Sequence, residues 1–356
     1  MFMSRHARYL IQGCLPLFVM AAHAAEVPGA DGEVIPEGEA AATATIVKLI
    51  HATVQSGFDA TGHAHRDAHR KAHACVRSTF TVLGDLPPNL AQGLFAHAGS
   101  YHAWIRYSNG SGQDRDDRSG DGRGMAVKVV GVPGKKLLDD ELEAQSQDFV
   151  MINHPVFFVR NAADYADLQQ AIAQGTAAEL GWLTRHFFHE GLVGLATLNT
   201  TVTNPLNSQY WSMTPYKLGA SQIKFSAKPC EGSTFQDVSN SSQRMGENLV
   251  AHLASKAACF DFMVQTRTQP AAMPIEDPTI EWSDIAAPFV TVAKIQIPAQ
   301  APAPGETCET LSFSPWHALA EQRPLGGINR IRKDVYLETS RLRHTLNGQV
   351  RTEPAP

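Results

Sequence analysis

The chain has 356 residues, 43% of them hydrophobic, enough to bury one large core or two modest ones. Its net charge of −5 argues against nucleic acid as a partner, because phosphate binding needs a clustered basic excess. Residues 1–24 have the form of a secretory signal: Arg5 and Arg8 open it, residues 9–22 are apolar, and Ala22-His23-Ala24 offers a small-x-small cleavage site. The apolar stretch is too short for a comfortable membrane span and no other segment reaches its length, so an exported, periplasmic protein without stable membrane insertion is expected. Ile11-Gln12-Gly13-Cys14 loosely has the form of a lipoprotein box, but it precedes most of the apolar stretch. Removing the signal leaves Cys75, Cys230, Cys259 and Cys308, which allow three pairings in an oxidising compartment. A Cys230–Cys259 bridge is one candidate, since each borders a candidate strand, and Cys75 reads as a small buried residue.

Residues 25–40, rich in Gly, Pro, Ala and Glu, read as a flexible leader, and Ile46, Val47, Ile50 and Val54 then mark an amphipathic helix over 41–54. From Thr79 onward the pattern changes to strands, predicted over 78–83, 103–108, 125–132, 148–158, 223–227, 260–266 and 289–297. Turn clusters such as Asn109-Gly110-Ser111-Gly112 separate them, and helices are predicted over 164–178, 179–192 and 246–258. Pro298, Pro302 and Pro304 read as a linker toward a last helix. Many spaced strands with inserted helices predict an α+β fold, an antiparallel barrel with helices outside it.

That last helix contains the run from Arg332 to Arg343. At roughly 100° per residue, Arg332, Tyr336 and Arg343 fall within about 40° of each other, which sets a phenol between two guanidiniums. A guanidinium one turn from a phenol favours the phenolate, a hard anionic metal ligand. A competing pattern is His65, His69 and His73 at four-residue intervals, with His63 nearby; on one helix they would form a zinc or copper face.

Four upstream blocks add to the tyrosine helix. Arg70-Lys71-Ala72-His73 leads into a strand; Trp104-Ile105-Arg106-Tyr107-Ser108-Asn109-Gly110, Asp121-Gly122-Arg123-Gly124-Met125-Ala126-Val127-Lys128 and Asn153-His154-Pro155-Val156-Phe157-Phe158-Val159-Arg160 follow. In this order they resemble catalase motifs: the arginine three residues before the distal histidine, the R-F-S strand, D-P-R-G-F-A-V-K and N-T-P-V-F-F-I-R. The resemblance covers roughly residues 61–345. The expected division is therefore a signal peptide (1–24), a leader and helix (25–60), a catalase-like haem domain (61–345) and a tail (346–356).

The resemblance implies an eight-stranded antiparallel barrel with haem b at its side, its iron ligated by Tyr336 with Arg332 favouring the ionised phenol. It implies His73 as the distal base that moves a proton between peroxide oxygens, and Ser108 as the hydroxyl that holds that histidine. Arg70, Arg106 and Arg343 match the arginines that pair with haem propionates, and Phe157 and Phe158 match haem-pocket aromatics. Two positions depart from the pattern. An ungapped alignment puts Ile152 where the distal asparagine belongs, so Asn153 serves only if a bulge turns it inward; and Ala72 replaces the usual valine. The segments 207–216 and 326–330 are similar to the coral allene oxide synthase branch. The activity implied is peroxide consumption, on hydrogen peroxide or a small organic hydroperoxide. Conversion of fatty-acid hydroperoxides and haem binding without turnover are the alternatives. Relatives of this kind commonly assemble as dimers or tetramers.

Overall fold

Eight strands pair edge to edge and close on themselves. The computed structural model describes residues 26–139, 144–198, 202–303 and 308–354; the signal-like segment, 1–24, lies outside the described residues. A hairpin of β1 (Glu26–Pro28) and β2 (Val34–Pro36) precedes helix α1 (Glu39–Thr61). Next come β3 (Ala72–Val82), β4 (Gly99–Asn109), β5 (Arg123–Val130) and β6 (Ser146–Ile152). Helices α2 (Ala162–Gln174), α3 (Thr176–His186) and α4 (Leu192–Leu198) intervene before β7 (Tyr210–Trp211), β8 (Tyr216–Leu218) and β9 (Ser221–Pro229). Then follow α5 (Arg244–Leu253), β10 (Ala258–Thr266), β11 (Val290–Ile297) and α6 (Gly327–Leu346). All sheet pairings are antiparallel, in the order β10-β11-β3-β4-β5-β6-β7-β9, and β9 pairs back onto β10. The result is an eight-stranded antiparallel barrel with helices around it, and β8 is an extra arm on β9.

The two-residue period of a strand gives the wall two different faces. Ile105 and Tyr107 of β4, Met125, Val127 and Val129 of β5, and Phe149 and Met151 of β6 belong to the barrel core. There Phe80, Phe149, Phe225 and Phe262 pack ring against ring, with centroids 4.7 to 5.8 Å apart. The alternate residues of β4 to β6 face outward, toward a layer in which Ile46, Ile50 and Val54 of α1, Ala162 and Ala166 of α2, and Ile328 and Ile331 of α6 form a second apolar cluster.

Several expectations are corrected. Residues 26–36, read as a flexible leader, are tied to the last helix instead. The Arg330 guanidinium donates to Glu33 and to Glu39 at 2.6 Å each and to Glu276 at 3.0 Å. A half-buried cation is kept charged by such partners, and Arg330 is held well above its ordinary value although burial opposes it. The strand expected over 148–158 ends at Ile152, where the chain bends ahead of Pro155, which has no backbone N–H to continue a ladder. Cys230 pairs with Cys259, and Cys75 is bonded to Cys308 rather than being a lone buried thiol; the Cα separations are 5.5 and 5.8 Å. Among the described residues, no helix is long and apolar enough to cross a membrane.

Candidate active site

The outward face of β4, β5 and β6 floors a cavity of about 550 Å³, within the range of small-molecule and cofactor sites. Register lays two rungs across this floor: Ser108, Gly124 and Ile152 form one, and Arg106, Ala126 and Val150 the other. The middle strand thus contributes only Gly124 and Ala126, which keeps the floor low. A Cβ on Gly124 would stand 2.6 Å from His69 Nδ1 and 2.7 Å from Ser108 Oγ, so this glycine is what allows the two to approach each other. The opposite wall is α6, which brings Arg332, Tyr336 and Arg343 to the same cavity.

His69 sits at the end of the loop before β3 with φ 57°, in the left-handed region, where histidine is less rare than bulky or β-branched residues. Its backbone N–H bonds Gly110 O at 3.0 Å, and its carbonyl accepts from Arg106 Nη2 at 2.8 Å. Those bonds fix the turn and aim the imidazole at the cavity, where Nδ1 lies 3.1 Å from Ser108 Oγ and leaves Nε2 for a ligand. Burial, reinforced by the Arg106 guanidinium, pushes His69 down to about 4, so the ring is neutral at physiological pH.

His73 is not at this cavity. It lies four residues on, in β3, with a side chain only 2% exposed. Nε2 is 3.0 Å from Asn109 Oδ1 and Nδ1 is 3.9 Å from Asp117 Oδ2, which also holds the Lys71 ammonium through Oδ1 at 2.7 Å. A Cβ on Gly246 of α5 would meet the His73 carbonyl at 3.0 Å, so that helix packs directly over it. Arg70 points to the surface and pairs with Asp114 at 3.3 Å. Arg66 instead reaches the cavity, three residues before His69. The same arginine-to-histidine spacing occurs twice in succession here, at 66/69 and at 70/73, and only the first pair lines the cavity. The four-residue histidine series forms no metal face either, because residues 62–71 are not helical. Among the described residues, one group has metal-ligand chemistry, Asp164, His186 and Glu190, and Arg160 already bridges its two carboxylates at 3.2 and 3.4 Å.

Asn153 also turns away. Its side-chain oxygen accepts from the Arg123 N–H at 2.6 Å, and Ile152 occupies the cavity face beside Phe157 and Phe158. Strand alternation dictates this outcome in the absence of a bulge between β5 and β6.

On the helix wall, Arg332 Nη2 donates to Tyr336 Oη at 3.1 Å, and its Nη1 donates to Thr214 Oγ1 at 3.3 Å and Asn329 Oδ1 at 3.1 Å. Thr214 and Asn329, from the segments 207–216 and 326–330, steady the arginine behind the tyrosine. Burial works against the Arg332 charge, but the phenols of Tyr336 and Tyr216 outweigh it and hold the guanidinium above its ordinary value. Arg66, Arg106 and Arg343 gather around Glu309, a residue that no motif singled out. Burial resists the Glu309 charge, yet the three guanidiniums hold its carboxyl down to about 2. Arg106 Nε is buried without a hydrogen-bond partner.

No protein-family model matches the chain, and no curated protein sequence matches it. Solved structures do. The chain is similar to a fungal catalase, with TM-score 0.63 and 19% identity over 81% of this chain and 61% of that one. It is also similar to a bacterial catalase, with TM-score 0.64 and 16% identity over 85% and 62%. For catalase A from Saccharomyces cerevisiae the TM-score is 0.64, with 18% identity over 84% and 67%. The chain thus spans a little over three fifths of the length of the first two, and its fold is catalase-like.

Proposed function

We propose that this cavity binds haem b and that the protein consumes peroxides. One observation carries the reading: a neutral histidine seated on a serine, a tyrosine backed by an arginine, and three further arginines all line one cavity on a catalase-like fold. The residues fit the group. Gly124 and Ala126 leave a low floor for a planar ligand, Arg106 Nε is a buried donor in need of an acceptor, and a tyrosine oxygen is a ligand type for haem iron. Tyr336 would hold the iron, and Arg66, Arg106 and Arg343 would hold the propionates. Bound haem supplies the two-electron chemistry that peroxide cleavage requires.

The proton work belongs to His69. With Nδ1 engaged by Ser108, its Nε2 takes the proton of the nearer peroxide oxygen and returns it to the departing oxygen, which leaves as water or an alcohol. The low proton affinity of this imidazole keeps it ready to accept down to acidic pH. Ile152 and Phe157 offer the substrate no second hydrogen bond. Hydrogen peroxide, with two O–H groups, loses a partner here, whereas an alkyl hydroperoxide places its carbon tail against apolar side chains. The wall therefore favours organic hydroperoxides and donor oxidation over rapid dismutation, and it is the feature that keeps fatty-acid hydroperoxide conversion as the second reading. Two disulfides and the signal-like segment support export to an oxidising compartment.

The test is haem titration followed by visible spectroscopy of the parent and of Tyr336→Phe, with oxygen release, donor oxidation and lipid-hydroperoxide loss recorded separately. The parent should bind one haem with a high-spin ferric spectrum, and Tyr336→Phe should lose or greatly weaken it. Identical spectra and haem content in both proteins would sink the ligand assignment.

A further inference from the structure

Glu309 does more than neutralise a neighbour. Its carboxylate accepts from Arg106 Nη2 at 3.0 Å and from Arg66 Nε at 3.2 Å, and it lies 3.7 Å from Arg343 Nη1. The backbone beside it takes further donors: Arg343 Nη1 bonds the Glu309 carbonyl, and Arg66 Nη2 bonds the carbonyls of Cys308 and Leu311 at 3.1 and 2.8 Å. One short piece of chain therefore engages all three arginines.

That piece is fastened to the cavity floor. Cys308 is bonded to Cys75, and Cys75 is the register partner of Arg106 across β3 and β4. The backbone of Ala303 pairs with Cys75 in both directions, at 2.9 and 3.4 Å, so Ala303 and Cys308 are both held to the same strand residue. A carboxylate on a short tether confronts its partners at an effective concentration set by that tether, in the millimolar range for flexible links and higher when the geometry is fixed. Three guanidiniums against one carboxylate leave two positive charges, the complement of a ligand with two carboxylates.

We propose that Glu309 is a built-in competitor for carboxylates at the Arg66–Arg106–Arg343 cluster, and that the Cys75–Cys308 clamp sets how strongly it competes. The identity of the incoming carboxylates as haem propionates rests on the function proposed above; the competition itself does not. A ligand carboxylate gains these donors as Glu309 yields them, so uptake is slowed and made selective for ligands that can engage more than one arginine.

The experiment uses the full mature chain in three forms, the parent, Glu309→Gln and Cys75→Ser/Cys308→Ser, with Glu309→Asp as a milder variant whose carboxylate is withdrawn by one methylene. Two readouts are taken: the haem dissociation constant from the absorbance titration, and the rise in melting temperature caused by glutarate. Removing a charge-assisted contact should tighten haem binding by roughly tenfold in Glu309→Gln. Glutarate should stabilise Glu309→Gln clearly more than the parent, with Glu309→Asp and the cysteine variant in between. Equal or weaker binding of both ligands by Glu309→Gln and Glu309→Asp would overturn the proposal. If the parent takes up no haem, the haem reading falls, and the glutarate shift alone decides the competition: a larger shift in the variants upholds it and an equal one refutes it.

Discussion

The two faces of the β4–β6 wall are made by the same strands and have different duties. Inward, Ile105, Tyr107, Phe149 and their neighbours fill the barrel with close-packed apolar volume. Outward, the same strands present Arg106, Ser108, Gly124 and Ala126 to the cavity, while Val150 and Ile152 join two smaller apolar clusters beneath the helices. Stability is concentrated on one side of the sheet and chemistry on the other, at a distance of one residue along the chain. Substitutions on one face should therefore leave the other property largely intact.

The widest separation is expected between the two histidines. His69→Ala should lower peroxide turnover by about 10² to 10⁴ per haem, the usual worth of general acid–base catalysis, while haem content and melting temperature change little. His73→Ala should do the reverse. It removes one member of a buried network in which Asn109 keeps Arg123 and Asp117 keeps Lys71 and the Met245 N–H, at a cost of about 1–3 kcal/mol in unfolding, and the folded fraction should turn over peroxide within about threefold of the parent. Turnover lost in His73→Ala but kept in His69→Ala would invert the assignment.

On the inner face, Phe149→Ala should cost about 3–5 kcal/mol in denaturant unfolding, since the ring packs against Phe80, Phe225 and Phe262. Haem stoichiometry of the protein that remains folded should not change. A lost Soret band without lost stability would break the division of labour between the faces. Ile152→Asn probes the outer face more gently: the added amide supplies the second hydrogen bond, and the ratio of hydrogen peroxide to alkyl hydroperoxide turnover should rise several-fold, by about 1 kcal/mol of added stabilisation. An unchanged ratio would show that Ile152 does not set substrate preference.

The smallest effect is a slope with pH. His69 and His344 are both pushed down to about 4 by burial, so the unfolded chain takes up their protons first as pH falls. Their contribution is intact above the ordinary histidine value of about 6.5 and is lost as pH drops toward 4. Glu309, held down to about 2, adds a loss at still lower pH. His69→Gln should flatten the fall in melting temperature between about pH 6.5 and 4; an identical fall in both proteins would contradict a neutral buried ring.

The barrel was legible because strand alternation is a local signal. The predicted strand at 103–108 falls inside β4, for example, and that at 260–266 inside β10. The two-residue β7 is too short to carry a period, and the 26–36 hairpin is held by Arg330, nearly three hundred residues away, so neither could be read locally. The tyrosine helix was legible for the same reason as the strands: helical spacing alone brings Arg332, Tyr336 and Arg343 onto one wall. The histidine was not, because Arg-x-x-His occurs twice in succession. What separates the copies is the left-handed turn at His69 and the start of β3 at Ala72, features of backbone conformation rather than of residue type. The cavity role of Ile152 follows from strict alternation, whereas the meeting of Glu309 with Arg66 spans 243 positions and has no sequence signature.

The Arg330 clasp has a consequence for when the site can exist. Its carboxylate partners Glu33 and Glu39 lie 297 and 291 positions upstream, so the clasp closes only after residue 330 has been made. Until then α6, and with it Tyr336, has no fixed seat, and the outward face of β4–β6 lacks its cover. Long-range closures of this kind come late in folding. A growing chain can therefore assemble its barrel before it owns a complete pocket, and the cavity gains its last wall only when the two distant halves of the clasp meet.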